Sequence, residues 1–167
     1  MRYADRADAS GGSTLGKMIS EEVDWSAPHD GAKVALFLGD QIISILRDDI
    51  PTIPYPGLWD LPGGARGHGE GPFETVAREV QEELGLVLPE AAVHWQSAFP
   101  ANSAPGKWVA FFVARLPAAV VDDIIFGDEG QRWALFDLPT FLALPDRVPS
   151  YGARLTKWQA ETGGFVA

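Results

Sequence analysis

Three glutamates carry the first chemical signal in this 167-residue chain: Glu79, Glu82 and Glu83. Spaced at i, i+3 and i+4, their carboxylates share one face of a helix, where like charges repel. A helix that only supports a fold gains nothing from this arrangement, whereas a divalent cation with oxygen ligands would offset the repulsion. Such a cation acts as a Lewis acid and can lower the pKa of a bound water. An acidic helix face is nevertheless most often just a solvated face. The three residues need a second, positional signal before they mean chemistry.

The surrounding stretch, Gly64 to Leu86, reads as a glycine-rich loop turning into one short helix. Pro72 suits a first helical position because its missing N–H is not needed there. Glu74 follows in the first turn, where the helix dipole favours a carboxylate. Phe73, Val76, Ala77, Val80 and Leu84 form one apolar stripe, and Gly85 stands where a helix takes its C-terminal glycine.

The second signal is the spacing of the whole stretch. A Gly, five residues, Glu, seven residues, then Arg-Glu-apolar-any-Glu-Glu-any-Gly-apolar is met by Gly64, Glu70, Arg78, Glu79, Val80, Glu82, Glu83, Gly85 and Leu86. Seven single-residue matches at average frequencies coincide in roughly fewer than one start in a million. The stretch resembles the Nudix box, and Leu58-Trp59-Asp60-Leu61-Pro62-Gly63 before it is similar to the approach in MutT-type members. The resemblance implies an α+β fold, an α/β/α sandwich with a mixed β-sheet between helices. It also implies a hydrolase that splits a phosphoanhydride in a nucleoside diphosphate linked to another group. Mg²⁺, with Mn²⁺ as a substitute, would be held by Glu82 and Glu83 directly and by the Gly63 carbonyl. Glu79 would be a further ligand or would orient water. Arg78 could contact phosphate, but the family more often pairs it with box glutamates, and Glu74 and Glu82, each four residues away, are its natural partners here.

Further ligands and a base for the attacking water call for one more acid. In the family it comes from a loop well downstream of the box, which makes Asp122, Asp123, Asp128 and Glu129 the candidates. Glu129 is preferred, because Gly127 and Gly130 flank it and would let the backbone approach a ligand. Non-catalytic relatives typically lose box glutamates or the arginine; this chain keeps them all, so a nucleotide-sensing or protein-interaction module stands as the second reading. Two substrate classes follow from the resemblance. The approach to the box looks like that of enzymes acting on nucleoside triphosphates, and Pro100, fourteen residues beyond Leu86, sits near a proline found in ADP-ribose hydrolases.

Composition bounds these expectations. At 46% hydrophobic and 22% charged residues, the chain is ordinary globular material of single-domain length. A net charge of −10 argues against duplex nucleic acid as a partner, and no apolar run approaches a membrane span. A small nucleotide-type substrate remains compatible with that charge, since bound metal reverses the local field. A possible homodimer is left open. The absence of cysteine removes disulfides and thiol chemistry, and with the polar first residues it suggests a cytoplasmic protein.

The chain divides into a polar N-terminal arm over residues 1–24, with Ser10-Gly11-Gly12-Ser13 as linker material, and one domain over 25–167. Strands are predicted over Lys33–Leu38 and Gln41–Arg47, joined by a turn at Gly39-Asp40, and over Leu58–Leu61, Val93–Phe99, Trp108–Leu116 and Gln131–Phe136. The strand from Trp108 reads as buried on both faces. A proline-rich loop fills Asp48–Pro56, and Asn102–Gly106 makes a turn. Pro117–Asp123 is either a loop or one helical turn. Leu138–Leu144 reads as a short helix, and Ser150–Glu161 as a serine-capped helix burying Ala153, Leu155 and Trp158. His29 and His94 read as structural and His68 as solvent-facing. Trp59, Trp95 and Trp108 could stack on a base, with Trp108 and Phe99 favoured because they flank the loop after the box.

Overall fold

A computed structural model describes residues 28–101 and 105–165. The arm expected over 1–24 and most of the turn expected over 102–106 lie outside the described residues. At the centre are two parallel strands, β1 (Gly31–Leu38) and β6 (Trp108–Leu116), paired along their full length from Gly31↔Val109 to Leu38↔Leu116. β5 (Val93–Pro100) lies antiparallel to β6 on its far edge. The two-residue turn at Gly39-Asp40 returns the chain into β2 (Gln41–Leu46), with Gly39 in the left-handed region at φ 64.

The other edge of β1 is shared between two strands. Its start, Gly31 to Lys33, pairs with β4 (Gly63–Ala65), while Phe37 and Leu38 pair with β2. Between them the Val34 N–H donates to the Pro62 carbonyl at 2.9 Å. β2 leaves β1 there and continues between β3 (Trp59–Asp60) and β7 (Arg132–Phe136), both antiparallel to it. The result is a mixed seven-stranded sheet, split where the box begins.

Helices cover both faces, as a parallel central pair demands. Alternate β1 residues Val34, Leu36 and Leu38 pack with Val76, Val80 and Leu84 of α1 (Pro72–Leu84). Ala35 and Phe37 point the other way, against Phe111 and Val113 of β6 and against Leu155 and Trp158 of α3 (Tyr151–Thr162). A short α2 (Leu138–Ala143) has its N-cap at Asp137, whose carboxylate accepts the Thr140 N–H at 2.7 Å. The architecture is the α+β sandwich that the resemblance implied.

Three local expectations change, and one left open is resolved. The start of the box, expected as loop, is the strand β4; at Gly63, where φ is 132, any Cβ would collide with the Ala32 carbonyl, so glycine allows the close pairing with β1. Pro117–Asp123 resolves into a 3-10 turn over Ala118–Asp123. Ser150 does not cap α3: its own backbone is helical (φ −63, ψ −22) and its side chain makes no capping bond. The buried face of α3 is Tyr151, Arg154, Leu155 and Trp158, while Ala153 is exposed.

Candidate active site

α1 ends and begins as its residues dictate. Pro72 occupies the first turn, the Glu74 carboxylate accepts the Gly71 N–H at 3.2 Å, and Gly85 closes the helix in the left-handed region at φ 66. The helix therefore aims its glutamates at the split in the sheet. Glu83 lies deepest, with its carboxylate accepting the Gly63 N–H at 3.0 Å. Burial pushes the Glu83 carboxyl up to about 8, against the pull of Lys33 and the Gly63 N–H, with Glu79 and Asp60 adding to the push. Glu79 lies against β4: a Cβ on Gly64 would stand 2.7 Å from its Oε1. Glu82 is different, with a side chain 59% exposed on the outer side of the helix.

Arg78 holds this face in place. Its guanidinium donates to Glu79 at 3.0 Å, to Glu82 at 3.1 Å and to the Ala65 carbonyl at 3.0 Å. Its main partner is Glu70, at 2.5 Å through Nε, not the expected Glu74, which is taken up with the helix N-terminus. Glu70 also accepts from the Gly67 N–H and the Thr75 hydroxyl, and the Arg78 hydrogen bond leads the interactions that lower its carboxyl to about 2. Arg78 is thus a positioning residue that ties the box loop to the glutamate face.

A second cluster adjoins the first, built from residues that local sequence marks only as strand and helix positions. Asp60 is buried on β3, and all four acceptor positions of its carboxylate are filled. Oδ2 takes Lys33 Nζ at 2.9 Å and Arg47 at 2.7 Å; Oδ1 takes the Leu61 N–H at 2.8 Å and the Tyr151 hydroxyl. Burial works to raise the Asp60 carboxyl, yet Lys33, Tyr151 and Arg47 together hold it below its ordinary value. Lys33 Nζ also donates to the Gly63 carbonyl at 2.9 Å, joining the two clusters.

A cleft of about 990 Å³ runs between them. Glu79, Glu83, Gly63 and Glu129 line it together with Lys33, Arg47, Asp60, Tyr151 and Arg154. Glu129 is exposed at its rim. The glycine before it acts otherwise than expected: Gly127 lies against the backbone of α1, where a Cβ would collide with the Glu82 carbonyl, and its N–H donates to the Glu83 carbonyl at 2.9 Å. The loop is docked on the helix that carries the glutamates. Glu82 and the favoured aromatics do not line the cleft. Trp59 packs edge-on to Phe136, Trp95 donates to Glu161 at 2.8 Å, and Trp108 packs against His29. Among the described residues, the aromatic side chains lining the cleft are Tyr55 and Tyr151. His29 is buried against Thr75 at 3.0 Å, while His94 and His68 are exposed.

Hard oxygen donors gathered on adjoining backbone suit a Mg²⁺-type cation: the carboxylates of Glu79 and Glu83 and the carbonyl of Gly63. Among the described residues, no three acidic or histidine side chains converge into a finished cage, and Arg78 draws Glu79 and Glu82 to itself.

The comparisons with known proteins agree with this geometry. The family model for the NUDIX domain matches residues 27–159. The chain belongs to the Nudix family. With the arginine and every glutamate of the box present, it groups with the hydrolases of that family. Among solved structures, this Nudix chain is similar to an Ap4A hydrolase of C. elegans at 22% identity and TM-score 0.63, covering 81% of this chain and 99% of that one. It is likewise similar to a MutT protein of Methanosarcina mazei at 21% identity and TM-score 0.62, covering 83% and 98%. Identities at that level speak for the shared fold. A curated protein of Myxococcus xanthus named octanoyltransferase is 32% identical over 103 residues, which is 60% of this chain and 28% of that protein.

Proposed function

We propose that this Nudix protein is a metal-dependent pyrophosphohydrolase that cleaves the phosphoanhydride of a nucleoside diphosphate linked to another group, of MutT-like nucleoside triphosphate or ADP-ribose type. The observation that carries this reading is the cleft that joins Glu79 and Glu83 of the box helix to Lys33 and Arg47. Bound Mg²⁺ or Mn²⁺ would supply charge neutralisation at the phosphates and an activated water. Glu83 and Glu79, with the Gly63 carbonyl, are the residues that would hold it within the cleft, and Glu82, outside the cleft and bonded to Arg78, would have to turn inward to join them. Glu83 is kept at the backbone of Gly63, so a ligand carboxylate and a ligand carbonyl are oriented together. Arg47, which keeps guanidinium donors beyond its bonds to Pro54 and Asp60, would face substrate phosphate oxygens as a planar cation. Lys33, with its three N–H groups committed to Asp60, Leu61 and Gly63, would add positive charge from behind. Glu129, on the loop docked against α1, is the acid assigned to the attacking water. A cleft with this chemistry favours the enzyme over a sensing module.

Phosphate release from a panel of nucleoside triphosphates, ADP-ribose, sugar nucleotides and dinucleotide polyphosphates, with Mg²⁺ present, tests the reading. Glu82→Gln and Glu83→Gln should each lower turnover by about a hundredfold or more with melting unchanged. Glu129→Gln should lose tenfold or more, with an altered pH–rate profile. Full metal-dependent activity in both box variants would sink the assignment, and an unaltered profile would return Glu129 to the surface.

A further inference from the structure

Arg154 stands out in the cleft because, among the described residues, no carboxylate forms an ion pair with its guanidinium, although Asp60 lies near enough to favour its charge. The residue is only 7% exposed and lies in the apolar stripe of α3, between Tyr151 and Trp158. An aliphatic side chain would serve packing there without the desolvation cost of a guanidinium. Its guanidinium carbon lies 4.9 Å from the Phe99 ring centroid, 5.5 Å from Phe111 and 5.9 Å from Tyr151. These ring faces offset part of that cost, but they accept none of its five N–H donors in the way a carboxylate does. Among the described residues its guanidinium enters no hydrogen bond or ion pair, and its nitrogens are not sealed from solvent but open on the cleft that Arg154 lines. The nearby carboxylate is already spent: Asp60 gives all its acceptor positions to Lys33, Arg47, Leu61 and Tyr151.

We infer that Arg154 binds an anionic oxygen group of the substrate, phosphoryl or carboxylate, at the α3 side of the cleft. The inference rests on the proposed hydrolase reading for the word substrate, but not for the site itself. A planar guanidinium takes two oxygens of such a group at once, and it does so most strongly where water is excluded. Burial lowers the Arg154 pKa, with Tyr151 and Asp60 opposing the shift, so an incoming anion restores what burial removes. α1 and α3 cover opposite faces of the sheet, so the glutamates and Arg154 stand at two separate places along one cleft. A substrate that fills it carries a second anionic group besides the anhydride that is cut: a further phosphate, or a carboxylate on the linked group. Ile50, Ile53 and Tyr55 add an apolar wall beside it, with Tyr55 held at a left-handed φ of 51.

Calorimetric titration of the full chain in EDTA tests this apart from turnover. The probes are inorganic triphosphate, succinate and adenosine, with the parent compared with Arg154→Lys and Arg154→Met. Arg154→Met should weaken binding of triphosphate or succinate about tenfold or more, and Arg154→Lys should restore part of it. The anion that responds identifies phosphoryl or carboxylate as the source, and adenosine should not respond. Melting curves verify that both variants fold; should Arg154→Met fail, Arg154→Lys against the parent carries the comparison. Equal anion binding in parent and variants, or a loss confined to adenosine, overturns the inference and leaves Arg154 as a core cation held by ring faces. Because neither metal nor hydrolysis enters the titration, an inactive enzyme with an intact Arg154 effect would count against the hydrolase reading alone. The converse result would count against Arg154 alone.

Discussion

Asp60 shows how one residue can hold a site together without touching the chemistry. It is buried on a two-residue strand and joins Lys33 of β1, Arg47 beyond β2 and Tyr151 of α3. Removing its charge would leave two cations facing each other with no counter-charge between them, and breaking a buried pair is costly. Both cations keep some solvent, with side chains 22% and 24% exposed, which moderates the loss. Asp60→Asn should destabilise the protein by about 2–4 kcal/mol, read from urea denaturation with an unchanged slope. A loss below about 1 kcal/mol would mean that water, and not Asp60, neutralises Lys33 and Arg47.

At the scale of elements, α1 does two jobs with two faces. Its apolar side is anchored by Val76, Val80 and Leu84, all fully buried against β1, while its polar side presents the glutamates. Leu84 sits one residue from Glu83 and one from Gly85, so the packing of the helix end and the position of the deepest carboxylate are coupled. Leu84→Ala should cost about 2–5 kcal/mol by thermal or chemical unfolding, because a fully buried leucine leaves a cavity. The loop from Ile125 to Gly127 leans on this helix end through the Leu84 and Glu83 carbonyls, so the same variant should also loosen the segment that carries Glu129. Amide exchange of residues 124–130 would register that loosening.

At the scale of the molecule, the start of β1 is tied to the box by a chain of polar contacts, from His29 to Thr75 to Glu70 to Arg78. His29 has its pKa lowered first by burial and then by Arg66, with Glu70 and Asp30 pulling the other way. A histidine lowered in the fold is kept neutral there, while the unfolded chain takes up a proton below about 6.5. Its contribution to stability is therefore present above that pH and is lost as pH falls below it. Melting temperatures measured from pH 8 to pH 5 should fall more steeply for the parent than for His29→Gln, which has no proton to gain. Parallel curves would show that His29 does not govern the pH response of this junction.

The sequence alone determined the box helix and the family the chain belongs to. Pro72, Glu74 and Gly85 mark its ends through local backbone chemistry, and the glutamate spacing is set by helical period, so neither needs the rest of the fold. The strands were legible for a similar reason: alternation and turn residues act over a few neighbours. Local signals could not reveal the partners. Arg78 chose Glu70 over Glu74 because the loop before α1 folds back onto it, and Glu82 turned outward while Glu83 turned in. Asp60 was legible only as part of the approach to the box, and Arg47 and Lys33 only as strand residues, since their meeting depends on the splitting of β1 between β2 and β4. Arg154 left one trace, a charge inside an apolar stripe, but the aromatic faces around it come from β5, β6 and its own helix. Long-range pairing, decided by which strands share an edge and which faces are covered, is what turned a row of carboxylates into a cleft with two chemically distinct places.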